Sequence, residues 1–182
     1  MNKHSLSLLC APAAIVAVCC ASARGDPAGP SREYQLKAAF LYNFAQFAEW
    51  PDDAFRGPKG PIVIAVAGEN PFGGALEQAV RGKQLNGREI TVRYYSSAAA
   101  VEPCHVLFVS ASERNNTQVA LQRAGNACLT VGDVEGFTAR GGIFRFLVED
   151  NKVRFEVNID AAQHSRVKIS SRLLKLAKIY EP

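Results

Sequence analysis

Few residues in this chain are of a type that does chemistry, and their spacing argues against most of it. The sequence holds three histidines and five cysteines, with no His-x-His, His-Glu-x-x-His or Cys-x-x-Cys spacing. A metal site therefore has no scaffold, and no metal or cofactor is expected. Cys104 and His105 are adjacent, which suggests a nucleophile beside its base. Neighbours on a strand point to opposite faces, however, so the pair would diverge. Gly68-Glu69-Asn70-Pro71-Phe72-Gly73-Gly74 has the look of a phosphate-binding turn. It lacks the Lys-Ser/Thr of a P-loop, Glu69 would repel an anion, and Pro71 removes an amide donor. Ser110 and Ser112 sit in no Gly-x-Ser-x-Gly elbow, and Asp133 stands alone. The expectation is a protein that binds rather than an enzyme.

Two binding surfaces can be read from the residues. Arg166, Lys168, Arg172, Lys175 and Lys178 place five cations between His164 and Lys178 with no acid among them. They fit either an acidic partner or a solvated helix face whose charges suit the C-terminal dipole. Aromatics do not interleave with them, so nucleic acid is not expected as a partner. Leu147 and Ile169, rimmed by Arg166 and Lys168, make an apolar centre with a charged border, a pattern common at protein interfaces. The alternative is a small-ligand crevice at the carboxyl ends of parallel strands, near Glu69, Asn70, Ser110 and Ser112.

These residues need elements to position them, and the first segment is not one of those elements. Asn2-Lys3-His4 is followed by an uncharged run from Leu6 to Cys20 and then by Ala21-Ser22-Ala23. That order reads as a cleavable secretory signal peptide over 1–23. Residues 24–32, rich in Pro, Gly and Ser, read as a flexible lead-in, and 33–182 as one domain. Cleavage would remove Lys3 and three cysteines, lowering the formal charge from +4 to +3 and leaving Cys104 and Cys128. The product would occupy an oxidising compartment, the periplasm in a bacterium.

Within the domain, Tyr34 to Trp50 is free of Gly and Pro and carries Leu36, Phe40, Phe44 and Phe47 at helical spacing. Pro51 should end that helix. Ile62 to Ala67 is a continuous apolar run ended by Gly68, the signature of a strand buried on both faces. Pro71–Arg81 reads as a helix, and Ile90–Tyr95, Val106–Val109 and Cys128–Val131 as strands. Between the last two, a helix capped by Asn115 or Asn116 should run to Ala124. Phe144 to Glu149 and Val153 to Ile159 alternate around Asp150-Asn151, which predicts a hairpin. A last helix is expected from Ser171, with Leu173, Ala177 and Tyr180 on one face. Together these predict an α/β layered domain: a mostly parallel central sheet flanked by helices, a C-terminal antiparallel hairpin and a terminal helix. If the helix between Cys104 and Cys128 makes a right-handed crossover, both cysteines reach the same sheet edge about 5 Å apart laterally. A disulfide is then within reach, and two buried free thiols are the other reading. Two copies could also pair as a homodimer.

Lys37-Ala38-Ala39-Phe40-Leu41-Tyr42-Asn43-Phe44, with Phe47 and Trp50-Pro51, resembles the opening of the YfiR-like family. Asn70-Pro71-Phe72-Gly73 is similar to the family in order and spacing. So are Leu129-Thr130-Val131-Gly132 through Phe137 to Gly141-Gly142, and Val153-Arg154-Phe155-Glu156-Val157-Asn158. Ile169-Ser170-Ser171-Arg172-Leu173-Leu174-Lys175-Leu176-Ala177 closes a resemblance covering about 33–180. The resemblance implies a periplasmic regulator. Its partner would be the periplasmic sensor portion of an inner-membrane diguanylate cyclase, held inactive so that cyclic-di-GMP and biofilm output fall. The resemblance transfers no catalytic residues.

Overall fold

A computed structural model describes residues 31–182; the leader expected over 1–23, and the lead-in up to residue 30, lie outside the described residues. Helix α1 spans Arg32–Gln46 and is capped by Ser31, whose hydroxyl accepts from the Tyr34 amide. Strand β1, Ala48–Glu49, follows it, and then come β2 (Ile62–Ala67), α2 (Ala75–Val80), β3 (Gln84–Leu85) and β4 (Arg88–Tyr95). The chain continues through β5 (Val106–Val109), α3 (Thr117–Ala124), β6 (Leu129–Gly132), β7 (Phe144–Glu149) and β8 (Lys152–Val157). It closes with α4 (Ile159–His164), β9 (Lys168–Ile169), α5 (Ser171–Leu174) and β10 (Lys178–Ile179).

Eight strands form one sheet in the order β10-β8-β7-β6-β5-β2-β4-β3. From β4 through β2, β5 and β6 to β7 every pairing is parallel, and β8 turns antiparallel to β7. Strand β2 is buried along its whole length, as its unbroken apolar run requires. Its two faces differ in bulk. Ile62, Ile64 and Val66 face the larger core under α1 and α2. Val63, Ala65 and Ala67 face a smaller core under α3 with Leu107, Val109, Ala120, Cys104, Cys128 and Phe137. Phe44 of α1 stacks on Phe144 at 4.8 Å and meets Phe155 edge-on at 4.9 Å, fixing the helix across the hairpin. At the hairpin tip Asp150 and Asn151 have φ of 49° and 57°, the left-handed pair that a two-residue type I′ turn demands.

Three expectations about elements need correction. The first helix stops at Gln46, not Trp50. The Phe47 amide bonds back to the Asn43 and Phe44 carbonyls, and Ala48 and Glu49 then pair antiparallel with Ile169 and Lys168 of β9. Helix α2 begins at Ala75 rather than Pro71, because the Asn70 side chain holds the preceding turn through the Phe72 amide and the Gly73 carbonyl. The terminal helix is a single turn. Leu173 is buried, but Lys178 and Ile179 leave helical geometry to pair parallel with Glu156 and Val157 at the sheet edge. Leu176 is left 73% exposed.

Candidate interaction sites

At the strand ends expected to form a small-ligand crevice, Glu69, Asn70 and Ser112 are exposed and two of the loops are tied to each other. The Glu69 amide donates to Ser112 Oγ at 2.9 Å, joining the loops after β2 and β5. A methyl group at Gly68 would meet that hydroxyl and the Glu113 side chain well inside contact distance. Gly68 is therefore the residue that lets the loops close, with a φ of 92° that also favours glycine. Asn70 is engaged in its own turn, and Ser110 is buried. Glu113, also buried, accepts from the Ala98 amide and from Asn116. All four expected residues lie at this point, and their contacts hold loops.

The four residues of the expected partner surface are not brought together. Leu147 lies between Phe146 and Val148 on the strand face opposite Phe144 and Phe146, the aromatics that pack under α1. Ile169 packs against the core on the α1 side. Lys168 and Ile169 instead join Gln46, Phe47, Glu49 and Arg172 around a hollow of about 360 Å³ beside the β1–β9 ribbon. Phe47 is 36% exposed there. Arg166 turns its guanidinium to Asp53, with 2.8 Å to each carboxylate oxygen. Of the five C-terminal cations, Lys178 is also paired, with Glu149 at 3.1 Å.

Cys104 and Cys128 are brought together as the crossover geometry requires. Both are buried thiols, with sulfurs 3.7 Å apart. Burial, and then the neighbouring Cys104, pushes the Cys128 thiol well above its ordinary range. His105 does not share a site with Cys104. Its Nδ1 accepts from the Val63 amide at 3.0 Å, so the proton sits on Nε2. The ring is held against Phe55 at 4.6 Å and Trp50 at 5.5 Å. Burial first, and the Arg88 charge second, lower its pKa to about 4. Arg88 in turn lies 3.8 Å over the Phe55 ring.

One cluster escapes sequence reasoning. Lys37 is 3% exposed. Its ammonium bonds Asp133 at 2.9 Å and Glu33 at 2.6 Å and lies over the Tyr34 ring. The Tyr34 hydroxyl donates to the same Asp133 oxygen at 2.7 Å. Burial, and then that hydrogen bond, raise the phenol above its normal range. Asp133 follows β6, so this network pins the start of α1 to a strand end across the sheet. The available signal was Lys37 itself, a lone charge between Leu36 and Ala38 on an otherwise apolar stretch. Among the described residues no group of His, Cys, Asp and Glu could hold a metal ion. No described helix is long and apolar enough to cross a membrane.

The class defined by this arrangement is a three-layer α/β/α domain whose polar side chains mainly hold its own loops and helices in place. More particularly, the chain belongs to the YfiR/HmsC-like family, whose model matches residues 34–178.

Proposed function

We propose that this chain is a periplasmic regulatory protein that binds the periplasmic sensor portion of an inner-membrane diguanylate cyclase and represses it. The observation that carries this reading is the family match over residues 34–178, nearly the whole described domain. The domain runs over 33–182 after cleavage behind Ala23. In that oxidising compartment Cys104 and Cys128 close a disulfide, the two sulfurs needing to approach from 3.7 Å to about 2.05 Å. Contact with the partner centres on the β1–β9 ribbon, where exposed Phe47 and half-buried Ile169 adjoin Lys168 and Arg172. An apolar centre with a cationic rim suits an acidic, partly apolar segment of the sensor.

Two measurements test the reading separately. Deleting the gene should raise cellular cyclic-di-GMP several-fold, and an unchanged level would remove the repressor role. Phe47→Glu and Lys168→Glu should each weaken co-purification of the membrane cyclase by about 10-fold. Capture at the level of the unaltered protein by both folded variants would dismiss the ribbon as the contact.

A further inference from the structure

The last elements leave exposed apolar groups beside unpaired cations. Among the large apolar side chains of the described residues, Leu176 at 73% and Ile179 at 61% are the two most exposed. They lie three positions apart, in a stretch between Asp160 and Glu181 that holds Arg166, Lys168, Arg172, Lys175 and Lys178 and no acid. Single exposed apolar residues are ordinary on a protein surface. Grouped ones mark a surface that something covers.

Strand register shows which of these groups share a side. Ile179 is the parallel partner of Val157, and residues aligned across paired strands point to the same face of a sheet. Val157 points into the core beneath α1, so Ile179 is turned to the α1 side. Helix α5 lies on that side too, because Leu173 and Leu174 pack in the same core. Arg172, Lys175 and Leu176 are exposed around this turn, and the Leu176 amide still bonds the Leu173 carbonyl. Lys178 points to the opposite face with its register partner Glu156, and there it pairs with Glu149. Arg166 is paired with Asp53. Arg172 and Lys175, like Lys168 in the ribbon, have no acidic partner among the described residues. Pairing thus takes up Arg166 and Lys178 and leaves the cations nearest Leu176 unpaired.

We propose that this patch rests on an anionic phospholipid surface. Leu176 and Ile179 enter the boundary between headgroups and acyl chains, and Arg172 and Lys175 meet lipid phosphates. Apolar groups that dip in, with cations that stay at the surface, are the pattern of a protein lying on a bilayer. Neither signal suffices alone: two side chains bury little area, and two cations are screened by salt. The contact is therefore weak and reversible. In the regulatory reading it would bring the β1–β9 ribbon close to the membrane, because Arg172 also lines the hollow beside that ribbon. The lipid contact does not depend on that reading, and its test contains no cyclase.

The test is flotation of the protein purified from the periplasm with vesicles of phosphatidylethanolamine and phosphatidylglycerol, against vesicles of phosphatidylcholine alone. Binding is expected to the anionic vesicles only. It should fall several-fold as salt rises from about 0.1 M to about 1 M, where the Debye length shrinks from about 10 Å to about 3 Å. Arg172→Gln with Lys175→Gln should weaken it by at least about 10-fold. Lys59→Gln with Arg81→Gln removes the same charge from exposed positions beside β4, at the other end of the sheet, and should change it by less than about 2-fold. Leu176→Ser should weaken it by at least about 3-fold, and adding Ile179→Ser should weaken it further. Leu176 lies outside β10, so its variant covers the case in which Ile179→Ser disturbs that strand. Melting temperatures check that every variant is folded. No binding to the anionic vesicles overturns the proposal. So does an equal loss from the two charge pairs, which would be the general attraction of a basic protein, or full binding by Leu176→Ser. Patch variants that lose the membrane cyclase yet float like the parent overturn it as well, since the patch would then hold a protein.

Discussion

His105 converts burial into a pH dependence. Its folded pKa of about 4 lies below the ordinary histidine value of about 6.5. Between those values the unfolded chain binds the extra proton, so stability falls as pH drops from about 6.5 toward 4 and is unaffected above that window. Asn at position 105 can still accept from the Val63 amide, and it does not titrate. Urea midpoints at pH 7.5 and pH 5 should therefore separate more in the parent protein than in His105→Asn. Equal separation would mean that the carboxylates alone carry the acid sensitivity. Asp133→Ala should be costly for a different reason. It removes the buried one of the two carboxylates on the Lys37 ammonium, leaving Glu33, and takes the acceptor from the Tyr34 hydroxyl as well, a loss of about 1–3 kcal/mol visible as a lowered melting temperature. The meeting of Cys104 and Cys128 was legible from strand counting, because one crossover fixes which sheet edge both reach. The Lys37–Asp133 contact spans 96 positions between unlike elements, and no local pattern encodes such a pairing.

Long apolar elements could be read directly, and short ones could not. Strand β2, the Asp150-Asn151 hairpin and the helix ending at Gly125 have local causes: an unbroken apolar run, turn chemistry and a left-handed stop residue with φ of 77°. Strands β1, β9 and β10 have two residues each and exist only because a distant partner offers backbone groups. The segments of β1 and β10 looked helical by composition, since nothing nearby forbids a helix, and tertiary pairing decided otherwise. The turn after β6 gives the element-scale prediction. Gly142 lies against the ring of Phe137, and an added methyl group would overlap it. Gly142→Ala should destabilise by about 1–3 kcal/mol through overpacking. Gly142→Ala combined with Phe137→Leu, which makes room, should recover part of that loss. Additive losses in denaturant titrations would show that the ring is not the cause.

For the molecule as a whole, the cysteine pair joins stability to compartment. Mass spectrometry of protein taken from the periplasm should show a chain beginning at Arg24 and two hydrogens lighter before reduction than after. Closing a loop of this size should add about 3–4 kcal/mol. Two thiols open to alkylation under denaturing conditions without reductant would exclude the bridge. The layered α/β arrangement was legible because alternating strands and helices admit few other architectures. Which of the four residues singled out for a partner share one surface was not. Sequence neighbours such as Lys168 and Ile169 share the ribbon, whereas Leu147 is carried to the other face by the period of a strand.

The first described helix crosses the hairpin, and the last strand pairs with β8, so both ends of the described chain lie on one flank of the sheet. From β10 to β4 there are six inter-strand steps. At about 4.8 Å per step the carboxyl end lies on the order of 30 Å from β4 within one molecule. A donor dye there and an acceptor on the loop beside β3 would exchange energy readily in the folded chain and much less once it unfolds, so the acceptor's brightness would follow the integrity of the whole sheet.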